Sequence, residues 1–298
     1  MHIAITGGSG LVGRHLVPLL ETSGHRVTVL SRGGGAGRAV WVPRPDPVNV
    51  EALRGVDAVV HLAGATVAQR WTGSARRDIL DSRVLGTRAV VDAMRQLGAE
   101  GPSILVSASA TGRYRQGTAP QGEGAPPADD FLARVVEAWE AEVRLADALP
   151  GVRTAMLRTG LVLAADGGVI ARLRPLFALG LGSPLGRGDQ IQPWIHIDDL
   201  CAMFATALVD SRWHGPINAV APEPLTNARF TRLLAAALGR PAFLPAVPAA
   251  LLRLVLGEMS TALLASQNVT PERALALHFP FAHPAAEEAL RALLRAER

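Results

Sequence analysis

Short apolar runs alternate with longer amphipathic stretches along the first 165 residues. The short runs are continuous, as in Ala58-Val59-Val60, which is typical of strands buried on both faces of a parallel sheet. We therefore predict a doubly wound α/β fold built from βαβ units. The predicted strands are residues 2–5, 26–30, 58–62, 104–107 and 154–157, and the predicted helices are residues 11–22, 76–97 and 131–148.

A glycine-rich turn joins the first predicted strand to the first predicted helix. Gly7, Gly10 and Gly13 have the spacing of a dinucleotide-binding turn, in which glycines allow a tight turn, close approach of a pyrophosphate and close helix packing. The amino end of the following helix then faces the phosphates. The predicted contacts in the turn are Gly7, Ser9, Gly10, Leu11, Val12 and Gly13.

The end of the second predicted strand indicates which dinucleotide is bound. A site that prefers NAD usually has an acidic residue there for the ribose 2′-hydroxyl, whereas this strand ends in Ser31-Arg32. A guanidinium suits a 2′-phosphate, so NADP is favoured over NAD, with Arg38 as a second phosphate contact. The alternative is that Arg32 is an ordinary solvated charge in a loop.

The pattern becomes irregular after residue 165, where glycines and prolines are frequent. Asp198 is placed to cap a helix over residues 200–209, and Thr226 and Asn227 begin a later one. We predict that residues 1–165 form a dinucleotide-binding Rossmann domain, to which about residues 190–220 return. Residues 166–298 are predicted to form a smaller, mostly helical substrate lobe.

Composition narrows the classes of partner. All 30 basic residues are arginines, and they are dispersed among 26 acidic residues, which does not suggest a nucleic-acid surface. One cysteine, Cys201, allows no intrachain disulfide, and no residue cluster indicates a metal site. The chain begins with a predicted strand and has no long apolar run, so we expect a cytoplasmic protein with no membrane partner.

These motifs together resemble the extended short-chain dehydrogenase/reductase family, in its epimerase-like branch. The resemblance includes residues 57–64 and 105–110, which look like strands lining the cofactor and add Leu62, Ala63, Gly64 and Ser107 to the expected contacts. Other segments resemble an atypical subgroup described as epimerase-family or cell-division-inhibitor-like proteins: residues 70–72, 81–83, 139–142, 158–163, 179–182 and 256–259. The resemblance implies NADP binding and a small C-terminal substrate lobe.

The resemblance breaks at the catalytic groups. Standard relatives combine a serine, matched here by Ser109, with a Tyr-x-x-x-Lys pair on the next helix. That pair falls near Phe131 and Val135, or Leu132 and Val136, and none of these side chains transfers a proton.

Tyr114 is the alternative catalytic candidate, at a position where epimerases have a tyrosine that lines the pocket. Arg113, Trp71 and Trp194 are candidate substrate contacts, although both tryptophans are equally typical of ordinary packing.

Two functions remain open. One is an NADP-dependent, epimerase-like oxidoreductase acting on a small polar or nucleotide-linked substrate. The other is a non-catalytic NADP(H)-binding regulator or redox sensor, which the subgroup's label connects with cell division. The helices over 76–97 and 131–148 occupy positions through which family members often dimerise, so a homodimer is a further expectation.

Overall fold

A computed structural model describes residues 1–33, 35 and 38–295 of the chain. The strands are β1 His2–Thr6, β2 Arg26–Ser31, β3 Arg38–Val40, β4 Ala58–His61, β5 Ile104–Ala110, β6 Gly117–Gln121, β7 Arg153–Thr159, β8 Leu161–Ala164, β9 Ile191–Gln192, β10 Trp194–His196, β11 Gly215–Ala219, β12 Leu225–Thr226 and β13 Gln267–Val269. The helices are α1 Leu11–Thr22, α2 Pro47–Leu53, α3 Gly73–Leu97, α4 Phe131–Arg144, α5 Gly168–Ala178, α6 Ile197–Val209, α7 Asn227–Ala237, α8 Ala249–Leu256, α9 Ser260–Leu264, α10 Glu272–Ala276 and α11 Ala286–Arg295.

A parallel sheet of seven strands forms the centre of the described residues, in the order β11-β7-β5-β4-β1-β2-β3. Strand order reverses between β1 and β4, because the chain first proceeds through β2 and β3 and then crosses to β4. Ligands bind at such a switch point, beyond the carboxyl ends of the strands. The prediction of a doubly wound parallel sheet is confirmed.

Helices cover both faces of the sheet, which explains the continuous apolar runs of its central strands. Because successive side chains alternate between faces, Val60 and Val106 belong to the core cluster that includes α1 and α6. Val59 and Leu105 belong to a second cluster, with α2, α3 and α4. The polar ends of β4 and β5 are thereby fixed relative to α3 and α4.

Side-chain caps begin several helices near the candidate site. Thr72 accepts a hydrogen bond from the amide of Ala75 at the start of α3, and Asp130 accepts one from Ala133 at the start of α4. At α6 the prediction of an Asp198 cap was wrong. His196 is the N-cap, and its Nδ1 accepts the amide N–H of Asp198, which lies in the first turn.

The described residues after β12 are mostly helical but include the short strand β13. Strand β13 pairs in parallel with β6, and α11 packs on α7. The boundaries of the two predicted domains stay a prediction. In the described part of the chain, every helix is too short or too polar to span a lipid bilayer.

Candidate functional site

The glycine turn brings backbone atoms too close for side chains. Gly7 has a φ of +69°, and a β-carbon there would lie 2.8 Å from the amide nitrogen of Ala63. A β-carbon at Gly13 would lie 2.4 Å from the Cα of Gly8. The turn, the β4–α3 connection and the first turn of α1 therefore pack backbone against backbone.

The amino end of α1 offers hydrogen-bond donors to a ligand. Gly10 is the N-cap and provides no side-chain cap, and the helical hydrogen bonds start with the amide of Arg14 bonding to the carbonyl of Gly10. The earlier amides, from Leu11, Val12 and Gly13, have no intrahelical acceptor. This arrangement is suited to an anionic group such as a diphosphate.

A cavity of about 730 Å³ opens beside this turn at the carboxyl edge of the sheet. We call it the glycine-turn cavity. Its lining residues are Thr6, Gly7, Ser9, Gly10, Leu30, Ser31, Arg32, Gly33, Arg38, Trp41, Pro43, Leu62, Ala63, Gly64, Ala65 and Ser82. Most of the cofactor contacts expected from the sequence are in this set. Leu11, Val12 and Gly13 form the helix end behind the turn, and Ser107 is fully buried, with its hydroxyl donating to the carbonyl of Ala108.

One end of the glycine-turn cavity is basic. Arg32 and Arg38 are exposed there, and neither has a carboxylate within ion-pair distance among the described residues. The Ser31 hydroxyl is buried and has no hydrogen-bond partner among the residues that the structure describes. Two guanidinium groups and an unsatisfied hydroxyl fit a phosphate monoester.

A buried hydrogen-bond network holds the β4–α3 connection against the turn. The amides of Leu62 and Ala63 donate to Oγ1 of Thr6, which is also hydrogen-bonded to Nδ1 of His61 at 2.7 Å. Burial, and then the charge of Arg83, lower the pKa of His61 to about 4. His61 is therefore neutral at physiological pH and serves to position this connection.

The hydroxyl of Ser109 is hydrogen-bonded to a buried ion pair between Glu140 and Arg158. Its hydroxyl donates to Oε1 of Glu140 at 2.7 Å, and Arg158 binds both oxygens of the same carboxylate at 2.7 Å. Arg158 is only 2% exposed. Burial alone would raise the pKa of Glu140, but the hydrogen bonds and charge of Arg158 hold it below its usual value.

Tyr114 belongs to the same buried network and lies outside the cavities described here. It is fully buried, donates to Oδ1 of Asn218 and accepts from Arg158. Burial raises its pKa, which makes the phenol a weaker proton donor than usual. Arg113 is bound to Glu137 of α4 and to a backbone carbonyl. Both side chains are thus bonded within the protein, and their roles at a catalytic or substrate site stay a prediction.

A second cavity, of about 410 Å³, lies at the amino ends of α3 and α4. We call it the α3–α4 cavity. It is lined by Trp71, Arg76, Gly112, Gln116, Asp130, Phe131, Leu132, Arg134, Glu258, Thr261, Ala262, Ala265 and Gln267. Trp71 packs edge-on against Phe131 at a centroid distance of 5.3 Å. The positions at which the resemblance expects a tyrosine therefore face this cavity, but they carry Phe131 and Leu132.

The other tryptophan proposed from the sequence lies elsewhere. Trp194 is 1% exposed, belongs to the main core cluster and donates its indole N–H to the carbonyl of Glu223. Its ring therefore contributes to core packing and makes no contact with the α3–α4 cavity.

One side-chain cluster was not foreseen from the sequence. His196, Asp198 and His283 offer ligand atoms that all lie within 4.8 Å of one another, because the carboxylate of Asp199 binds the amides of Ala282 and His283. Nδ1 of His196 already accepts the amide of Asp198, so its lone pair is used in capping α6. The arrangement is accounted for as a helix cap with a second imidazole stacked on it at 3.7 Å.

The fold and the glycine-turn cavity together define a Rossmann-type α/β protein with a dinucleotide-binding turn. Residues 3–219 match the model of the NAD dependent epimerase/dehydratase family, and residues 247–293 match that of a domain of unknown function, DUF1731. The chain belongs to the NAD dependent epimerase/dehydratase family.

Several relatives are similar over nearly the whole chain. The human epimerase family protein SDR39U1 is 36% identical over 99% of this chain and all of its own length, and the chloroplastic homolog from Arabidopsis thaliana is 37% identical over 99% of this chain and 87% of its length. The crystal structure of the human protein (isoform 2), determined with NADPH, aligns over 99% of both chains with a TM-score of 0.91.

A further solved relative is a nucleoside-diphosphate sugar epimerase from Corynebacterium glutamicum. It is 34% identical, with a TM-score of 0.82 over 99% of this chain. This chain spans 58% of the length of that protein.

Proposed function

We propose that this chain is an NADP(H)-binding, epimerase-like oxidoreductase of the atypical short-chain dehydrogenase/reductase type. The observation that carries the proposal is the basic lining of the glycine-turn cavity, which includes Arg32, Arg38 and Ser31, whose hydroxyl has no hydrogen-bond partner among the described residues. The NADPH in the human relative supports the same cofactor here.

Different residues of the chain are proposed to bind different groups of this cofactor. The free amides at the start of α1 suit the diphosphate, and Arg32 and Arg38 suit the 2′-phosphate that distinguishes NADP from NAD. Leu62 and Gly64 flank the cavity beyond the turn. The cofactor supplies hydride transfer when bound.

The substrate is proposed to occupy the α3–α4 cavity. A neighbouring cavity of about 470 Å³ also has Gln116 in its lining, together with Arg187 and Arg253. Arg187 is paired with Asp189 in the same lining, and this mixture of charged and apolar groups is compatible with a small polar or nucleotide-linked substrate.

The α3–α4 cavity is poor in groups that exchange protons near neutral pH. Its carboxylates among the described residues are Asp130, which caps α4, and Glu258, which is paired with Arg76. The hydroxyls of Ser109 and Tyr114 are used within the buried network. These observations favour a second candidate function, a non-catalytic NADP(H)-binding regulator or redox sensor.

Calorimetric titration with NADPH and NADH tests the cofactor assignment. We expect the wild-type chain to prefer NADPH and Arg32→Ala to weaken NADPH binding about 10- to 100-fold, since a charge-assisted hydrogen bond contributes about 1.5–3 kcal/mol. NADH affinity should be unchanged. Arg26→Ala is the matched control, because Arg26 is exposed at the opposite end of the same strand.

Equal affinity of the wild-type chain for NADPH and NADH would contradict the NADP assignment, and binding of neither would contradict the proposal as a whole. Turnover separates the two candidate functions. Substrate-dependent NADPH oxidation or cofactor-dependent epimerisation across carbonyl compounds and nucleotide sugars supports the enzyme. Tight NADPH binding without turnover on that panel supports the regulator.

A further inference from the structure

Arg83 extends from α3 to a position beside the glycine-turn cavity. Its Nη1 donates to the carbonyls of Ala65 and Ile79, both at 3.0 Å. A β-carbon at Gly64 would lie only 3.3 Å from its Cζ, so the glycine leaves room for the guanidinium. Gly64 and Ala65 line the cavity, and the guanidinium therefore lies directly behind the cavity's edge.

The charge of Arg83 has no counter-charge in the described residues. No carboxylate of the described residues lies within ion-pair distance of its guanidinium, and burial lowers the pKa of Arg83 to about 10. Arg158, by contrast, is buried with both oxygens of Glu140 bound to it. A partly buried cation that is hydrogen-bonded only to carbonyls, with no carboxylate to balance its charge, is costly, which indicates that an anion completes this site.

The glycine turn and Arg83 are linked through the β4–α3 connection. Gly7 of the turn packs on the backbone of Ala63, and the next residue, Gly64, packs on the Arg83 guanidinium. An anion bound by the turn and by the amides of α1 is therefore near this cation. In a dinucleotide the group bound at the amino end of α1 is the diphosphate.

Arg83 also lies against the helix that lacks the expected lysine. Its guanidinium is 5.1 Å from the ring centroid of Trp139, one helical turn beyond Val135 and close to Val136, where the resemblance expects that lysine. A cation is thus provided to this face of α4 from a neighbouring helix.

We propose that Arg83 is a cofactor-binding residue whose guanidinium neutralises the diphosphate of the dinucleotide. The proposal rests on the proposed function, because it needs a dinucleotide in the glycine-turn cavity. It predicts that Arg83 acts on NADPH and NADH alike, whereas Arg32 acts on NADPH alone.

Arg83→Met tests this role by removing the charge while retaining an unbranched side chain. We expect affinity for both NADPH and NADH to fall about 10- to 100-fold in calorimetric titration. Without cofactor, the unfolding temperature of the variant should stay close to that of the wild-type chain, because removal of a charge without a counter-charge offsets the loss of the hydrogen bonds to Ala65 and Ile79. Arg83→Lys should retain affinity within about tenfold of the wild-type chain. Arg77→Met is the control, since Arg77 is exposed on the same helix.

Unchanged affinity of Arg83→Met for both cofactors would overturn the inference. An affinity of Arg83→Lys as low as that of Arg83→Met would also overturn it, because the positive charge would then not be what binds the cofactor. If Arg83→Met weakens binding of NADPH but not of NADH, the cation acts on the 2′-phosphate and the inference is wrong. Failure of the wild-type chain to bind either cofactor identifies a failure of the proposed function itself.

Discussion

Replacing Glu140 with glutamine should destabilise the protein strongly, because it removes the counter-charge of a buried arginine. The carboxylate accepts hydrogen bonds from Ser109, from two nitrogens of Arg158 and from Arg144. Arg158 is inaccessible to solvent in practice, and Glu140 is fully buried. Glutamine retains one acceptor oxygen but leaves the Arg158 charge uncompensated.

The magnitude follows from the geometry of this pair. Removing one partner of a buried ion pair costs about 3–5 kcal/mol, because the remaining charge stays desolvated. For a chain of this size that corresponds to a fall of roughly 5–15 °C in the unfolding midpoint. Replacing both partners, as in Glu140→Leu with Arg158→Met, should cost less than the single change.

The pH dependence of the difference has a defined sign. Because the pKa of Glu140 is lowered in the folded protein, its contribution is fully present above the pKa of the unfolded chain, about 4.3. It is lost as pH falls through the folded-state value. The stability difference between wild type and Glu140→Gln should therefore be constant near neutrality and shrink only in acid.

Urea or thermal denaturation at pH 7 provides the assay, with Glu142→Gln as the matched control. Glu142 lies on the same helix but pairs with Arg88, whose side chain is 45% exposed, so its loss should cost about 1 kcal/mol or less. If Glu140→Gln unfolds within about 1 kcal/mol of the wild-type chain, the stabilising role assigned to this pair is refuted.

Three further predictions concern the turn and the buried polar groups. Gly13→Ala places a β-carbon against Gly8 and should cost about 1–3 kcal/mol and weaken NADPH binding, as measured by thermal unfolding and calorimetry; normal values for both would show that the turn adapts. Because the folded-state pKa of His61 is about 4, the free energy of unfolding should fall by about 3 kcal/mol as pH drops from 6.5 to 4. In pH-dependent denaturation, His61→Gln should reduce this dependence of stability on pH. An equal dependence in the variant and the wild-type chain would contradict the prediction. Tyr114→Phe removes the hydrogen bond to Asn218 and should lower the free energy of unfolding by about 1–2 kcal/mol in denaturation, with NADPH affinity unchanged. A large loss of affinity would show instead that Tyr114 belongs to the cofactor or substrate site.

Much of the lining of the glycine-turn cavity could be predicted from local sequence. The glycine spacing between β1 and α1, and Ser31-Arg32 at the end of β2, lie within short segments whose secondary structure follows from hydrophobic periodicity. Trp41 and Ser82 were not foreseen as lining residues, because neither belongs to a recognisable spacing.

The catalytic candidates show where local reasoning stops. Ser109 and Tyr114 were chosen from their positions at or after the end of a strand. Whether their hydroxyls face a cavity or the protein interior depends on the side chains of other elements that pack against them. Glu140 and Arg158 lie in motifs that carried the family resemblance, yet their pairing depends on α4 packing against β5 and β7. No spacing in the sequence reveals a contact of that kind.

The sequence by itself determined the doubly wound sheet, the glycine turn and the basic end of the second strand, because these depend on periodicity, on backbone freedom at glycine and on adjacent residues. Only the tertiary structure decided which polar groups face a cavity and which are used internally. It buried Ser109, Tyr114 and Trp194 and, among the residues that the structure describes, left Arg83 without a counter-charge beside the glycine-turn cavity. The physical reason is that desolvation and pairing of a polar group depend on its neighbours in space, which chain order does not specify.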